Sequence, residues 1–149
     1  MKKFLILFCL NISLVAAGEL KSLTVDGCSM FPDGTEENPT VWLECCHVHD
    51  ASYWMGGTLK ERRETDLRFK QCMEEKGDKA VSIISYIGVV VGGGPLYPTP
   101  YRWGYGWKGR VGYRTLSEFE KQSVKEKLSE QDVLSVDLVE EVLEVRNLF

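Results

Sequence analysis

Cysteine placement constrains this chain more than anything else. Cys28, the adjacent pair Cys45 and Cys46, and Cys72 lie in its first half, and the fifth cysteine, Cys9, sits inside an apolar N-terminal run. That run, in "MKKFLILFCLNISLVAAGEL", follows two lysines and ends in small residues, the pattern of a secretory signal peptide over 1–17 with cleavage near Ala17 or Gly18. It falls short of the ~20 apolar residues a membrane span needs. A lipoprotein signal would place its cysteine at the cleavage site, whereas Cys9 is mid-run. Cleavage leaves four cysteines, and an even count in an exported chain predicts two disulfides in an oxidising compartment, hence a secreted or periplasmic protein. Losing Lys2 and Lys3 takes the net charge from −4 to −6, which argues against nucleic acid as a partner. With 149 residues and 44% hydrophobic content the chain can bury one modest core.

The fold expected is mainly α. Residues 18–40, with "DGCSMFPDGTEENP", carry turn chemistry and read as an irregular loop. A first helix opens at Pro39-Thr40 and runs to about Met55, where "MGGT" stops it; a second runs from Leu59 to about Lys76. "AVSIISYIGVVVGGG" is too short to span a bilayer and reads as a buried strand or helix, core rather than channel wall. "PLYPTPYRWGYGWKGRVGY" has neither helical nor strand period. Two further helices, roughly 118–128 and 131–146, form an acidic tail, with Ser117 and Glu120 as a capping box. The organisation is thus a core over 18–79, an apolar and Gly/aromatic segment over 80–115, and a helical tail over 116–149.

A connection as short as "MGGT" makes the first two helices antiparallel neighbours. Setting Cys45 level with Cys72 places Ser52 opposite Thr65 and brings His49 to within about two residues of Asp66, roughly 3 Å of rise. Of the three pairings open to four cysteines, a vicinal Cys45–Cys46 bridge is the least favourable. The hairpin favours Cys45–Cys72, leaving Cys46 for Cys28. Cys46 and Asp50 stand at i and i+4, so that second bridge holds loop 27–34 against Asp50. Cysteines in disulfides are not zinc ligands, and near-consecutive helical residues point in different directions, which argues against zinc at "ECCHVHD". A carboxylate beside loop carbonyls suits a hard cation, and calcium is the candidate in an exported protein. A histidine held by Asp66 can accept a proton from water while the cation polarises an ester carbonyl.

"CCHVHDASY" resembles the CC-x-x-HD-x-C-Y signature of secreted phospholipases A2, and "DLRFKQC" resembles their D-x5-C on the second long helix. With the loop cysteine the resemblance covers about residues 27–73, and it is nearest to the divergent group XII type. It implies His49 as general base, Asp66 as its partner, Tyr53 as a hydrogen-bond donor to Asp66, and Asp50 as a bidentate calcium ligand. It also implies that carbonyls of Gly27, Ser29 and Phe31 complete the calcium shell and that the Ser29 amide helps hold the oxyanion; because "GCSMFPDGT" lacks the family's usual glycine pattern, Asp33 stands as a rival ligand. The implied reaction is calcium-dependent hydrolysis of the sn-2 ester of a glycerophospholipid at a membrane surface.

Several features depart from the family's pattern. Ser52 and Thr65 stand where the family carries a bonded cysteine pair, so both members are lost together. The family's usual N-terminal helix and β-wing have no room here, so a channel and interfacial surface would come from elsewhere, such as residues 80–107. Trp54, Trp103, Tyr105 and Trp107 fit a lipid interface and a packed aromatic loop about equally. His47 is expected to face solvent. Arg62 and Arg63 read as a charged helix face, with phosphate contact as the sharper alternative. The competing functional expectation is a non-catalytic module that keeps the scaffold and binds membrane or protein.

Overall fold

The computed structural model describes residues 18–77, 79–109 and 112–149; the expected signal peptide lies outside these. The chain is mainly helical, as expected. Five helices follow in order: α1 (Leu43–Met55), α2 (Leu59–Lys76), α3 (Lys79–Gly92), α4 (Glu118–Glu130) and α5 (Val136–Val145). Among the described residues there is no strand, only an isolated antiparallel bridge between Leu20 and Trp107. No helix among them is long and apolar enough to cross a membrane.

α1 begins at Leu43, later than its sequence suggests. The Trp42 amide donates to the Asp33 carbonyl at 2.9 Å and the Leu43 amide to the Thr40 carbonyl at 3.1 Å, so Thr40–Trp42 form turns against the loop. α2 starts on a capping box in which the Thr58 side chain accepts from the Glu61 amide and Glu61 reaches back to the Thr58 N–H. The same device opens α4 at Ser117 and Glu120. The disulfides are Cys28–Cys46 and Cys45–Cys72, the pairs the hairpin geometry predicts. With Trp42, Phe69 and Met73 they form one apolar cluster between the loop, α1 and α2.

The other cluster joins Trp54 and Met55 of α1 to Trp107, Leu116, Val124, Leu128 and Val142 of the later chain. This settles the two readings of the aromatic segment. Trp54, Trp103 and Trp107 are buried rather than presented to a lipid surface, and each indole N–H donates to a main-chain carbonyl. Gly106 is required for this packing, because a Cβ there would strike the Trp54 indole.

A buried helix C-terminus must find donors for its last carbonyls, and the later chain supplies them. Ser52 O receives Arg146, Tyr53 O receives the Gly104 amide at 2.7 Å, Trp54 O the Gly106 amide at 3.0 Å and Met55 O the Trp107 indole at 2.7 Å. Arg146 also donates to Gly56 O at 2.6 Å, lies 5.0 Å from the Trp103 ring centroid, and pairs with Glu61 at 3.4 Å. The C-terminal tail is therefore a plug under α1.

α3 reverses expectation. It is a helix, but its buried positions are Ser82 and Ser85, while Ile83, Ile84, Ile87, Val90 and Val91 are exposed. Val81 and Val89 pack against the cluster that holds Phe69 and Met73 of α2, the principal neighbour of α3, and the other bulky aliphatics are left outside. Arg146→Met should lower unfolding free energy by about 2–4 kcal/mol, since two buried carbonyls lose their donor. The check is a shift of the urea midpoint at unchanged slope.

Candidate functional site

α1 and α2 bring together the residues that the sequence places at one level. His49 Nε2 lies 3.1 Å from Asp66 Oδ1, and the Tyr53 hydroxyl donates to the same oxygen at 2.7 Å. All three groups are buried, Asp66 to 1% exposure. Because an ionised carboxylate only accepts, the histidine carries its proton on Nε2, leaving Nδ1 as the basic nitrogen. Nδ1 makes no hydrogen bond among the described residues. The imidazole is held between rings, with centroids 4.2 Å from Tyr53 and 4.6 Å from Phe69. Burial, and then the negative charge of Asp66, push the Tyr53 phenol far above its ordinary range, so it remains a donor.

Arg62 completes the cluster. Its guanidinium is buried, with Nε donating to the Tyr53 hydroxyl at 3.1 Å and lying 3.7 Å from Asp66 Oδ2. Burial works against its charge, but bonds to Tyr53 and Tyr113 and the nearness of Asp66 outweigh it and raise its pKa. A guanidinium engaged this fully is neither a solvated face nor a phosphate contact. The sequence carried a signal for it, since Arg62 and Asp66 stand at i and i+4.

Asp50 sits one residue from His49 in a contrasting environment. It is buried, and no cationic side chain pairs with it among the described residues. Desolvation, with repulsion from Asp26 and Asp33, pushes its pKa well above the ordinary carboxylate value, opposed by one hydrogen bond from the Asp26 backbone. Asp33 Oδ1 accepts from the Cys28 amide at 2.8 Å, and Asp26 Oδ1 from the Ser29 hydroxyl at 2.7 Å, so both carboxylates shape the loop. Asp33 is thereby committed to the loop backbone.

No three His, Cys, Asp or Glu side chains among the described residues converge closely enough to hold a metal ion by themselves. A cation at Asp50 would need main-chain oxygens for the rest of its shell. The carbonyls of Gly27, Ser29 and Phe31 receive no hydrogen bond from described residues, whereas Cys28 O is taken by the Phe31 amide at 3.0 Å. Gly27, Ser29, Phe31 and Asp50 all line one cavity. A buried carboxylate without a cationic partner, sharing a cavity with residues whose carbonyls are unbonded, offers the oxygen type that a hard cation takes.

That cavity, of about 530 Å³, also takes in His49, Tyr53 and Phe69, and its far wall is α3 through Ile84, Ile87 and Val91. Its size is that of small-molecule sites. Gly93 lets the chain close over the tyrosine, since a Cβ there would strike the Tyr53 hydroxyl. A second space of about 320 Å³ lies behind the histidine, reaching Ser52 and Thr65. Their hydroxyls are sealed and have no partner. His47 is half-buried rather than free in solvent, and burial lowers its pKa.

Searches for known relatives find no matching family model, no matching curated protein and no matching solved structure.

The raised pKa of Asp50 has a defined sign. A carboxyl that binds its proton more tightly when folded favours the fold at low pH, and that contribution is lost as pH rises through the folded value. Without divalent cations, Asp50→Asn should therefore melt above wild type at pH 8. The gap should close on acidification toward the ordinary carboxylate range near about pH 4. Thermal melts across pH measure it.

Proposed function

We propose that this chain is an exported, calcium-dependent esterase acting on the sn-2 ester of glycerophospholipids at a membrane surface. One observation carries the reading. A histidine whose Nε2 is fixed by a buried aspartate lines an apolar cavity of about 530 Å³, together with a buried carboxylate that has no cation of its own. The phospholipase A2-type motifs of the sequence supply the reaction class, and the two disulfides fit the oxidising compartment that export implies.

In this reading His49 Nδ1 takes a proton from a water in the cavity, and the resulting hydroxide attacks the ester carbonyl carbon. Asp66 holds the ring in the required tautomer and steadies the imidazolium that forms, while Tyr53 keeps Asp66 in place. The imidazolium then returns its proton to the departing lysolipid oxygen. Calcium, held by Asp50 with the carbonyls of Gly27, Ser29 and Phe31, would supply the positive charge that polarises the carbonyl. The Ser29 amide would assist at the developing oxyanion.

α3 supports the lipid-surface part of this reading. Ile84, Ile87 and Val91 are 60%, 55% and 63% exposed while also lining the cavity. Met30, at the loop side of the same cavity, is 91% exposed. An apolar rim continuous with an apolar interior lets an acyl chain pass from bilayer to site without crossing water.

Purified protein should release fatty acid from phosphatidylcholine–phosphatidylglycerol vesicles, and chelator should abolish this. His49→Gln should lower kcat by about 10²–10⁴-fold with the fold intact; activity indifferent to it removes the mechanism. Absence of calcium binding at millimolar concentration by calorimetry would favour the binding-module reading. Separately, Ile84→Glu with Ile87→Glu should weaken vesicle binding and vesicle hydrolysis while sparing hydrolysis of a monomeric short-chain lecithin. Co-sedimentation and the two assays together check that split.

A further inference from the structure

Arg62 makes more contacts with the site than a buried ion pair requires. Besides the Tyr53 hydroxyl, it donates through Nη1 to the Tyr113 hydroxyl at 2.6 Å and through Nη2 to the carbonyls of Val89 and Val90, each at 2.8 Å. Those carbonyls belong to the last turn of α3, the helix that walls the cavity. Arg62 itself does not line that cavity.

The tyrosine hydroxyl has a single proton and two acceptors within reach: Asp66 Oδ1 at 2.7 Å and Val89 O at 3.4 Å. Arg62 acts on this choice twice. Its Nε–H occupies a lone pair of the hydroxyl oxygen, and its Nη2 group occupies Val89 O. With both engaged, the phenol's proton is directed to Asp66. We propose that Arg62 is a positioning residue that locks the Tyr53 hydroxyl onto Asp66 and fixes the apolar wall α3 to the same point, so that base and substrate cavity keep one relative geometry. This inference rests on the esterase reading for its kinetic consequence, but its structural consequence can be read without activity.

Only a planar fork reaches all of these partners together. A lysine keeps the charge but offers one nitrogen for acceptors on two helices. The test compares wild type, Arg62→Gln and Arg62→Lys in calcium buffer, after confirming cooperative melting for each. On monomeric short-chain lecithin, kcat should fall about tenfold or more in both variants, with KM changed far less than kcat. In ¹⁵N-histidine-labelled protein, the exchange-protected Nε2 proton of His49, assigned by its loss in His49→Gln, should shift or broaden in both variants.

Full rescue of kcat by Arg62→Lys would show that charge suffices and overturns the positioning role. A wild-type kcat or an unchanged Nε2 proton in either folded variant overturns it as well. Where Arg62→Gln does not fold, Arg62→Lys, which leaves a cation against the α3 carbonyls, decides alone. If His49→Gln leaves hydrolysis untouched, the esterase reading fails, and the Nε2 proton still reports whether Arg62 holds the cluster.

Discussion

The structure depends on how the C-terminal end of α1 is satisfied. Four successive carbonyls, from Ser52 to Met55, point into a dry interior, and each is met by a donor from more than forty residues downstream. The donors are two glycine amides, an indole and a guanidinium. Their mutual spacing fixes the axial position and rotation of α1, and so the direction of His49, Asp50 and Tyr53. Two disulfides secure the other end of the helix. A helix held at both ends can carry a polar cluster on one face without yielding to solvent.

The two acids of the cluster show how burial divides labour. Asp66 is almost wholly buried yet surrounded by donors: an imidazole, a phenol and a nearby guanidinium. Asp50 is nearly as buried but faces two other carboxylates and one backbone N–H. Burial and the two neighbouring carboxylates make charge costly at Asp50. A buried acid shifted in this manner is a mark of sites of chemistry, and a proton or a cation would relieve Asp50.

Legibility in the sequence followed locality. The hairpin, both disulfides and the meeting of His49 with Asp66 could be read because each rests on helical rise and a short connection. The capping boxes at Thr58 and Ser117 also have a local signature, a hydroxyl residue followed three positions later by glutamate. What could not be read depends on distant partners. Nothing in "PLYPTPYRWGYGWKGRVGY" says that its indoles serve carbonyls at the end of α1 and just beyond it, those of Met55 and Gly57, rather than a membrane. α3 misleads for a related reason: hydropathy marks it as interior, yet of its bulky aliphatics Val81 and Val89 pack on the core while Ile83, Ile84, Ile87, Val90 and Val91 stay exposed. The role of Arg62 stayed hidden because the carbonyls it engages lie on a helix whose orientation was unknown.

The reach of Arg146 bears on when the site comes into being. Its bonds to Ser52 and Gly56 close loops of 94 and 90 residues, whereas the disulfides close 18 and 27. Short closures cost less entropy and form sooner than long ones. The stapled hairpin can therefore assemble while the seat beneath α1 is still empty, and the imidazole acquires its final bearing only when the tail docks. On this ordering the distant contacts beneath α1 are the last part of its surroundings to close.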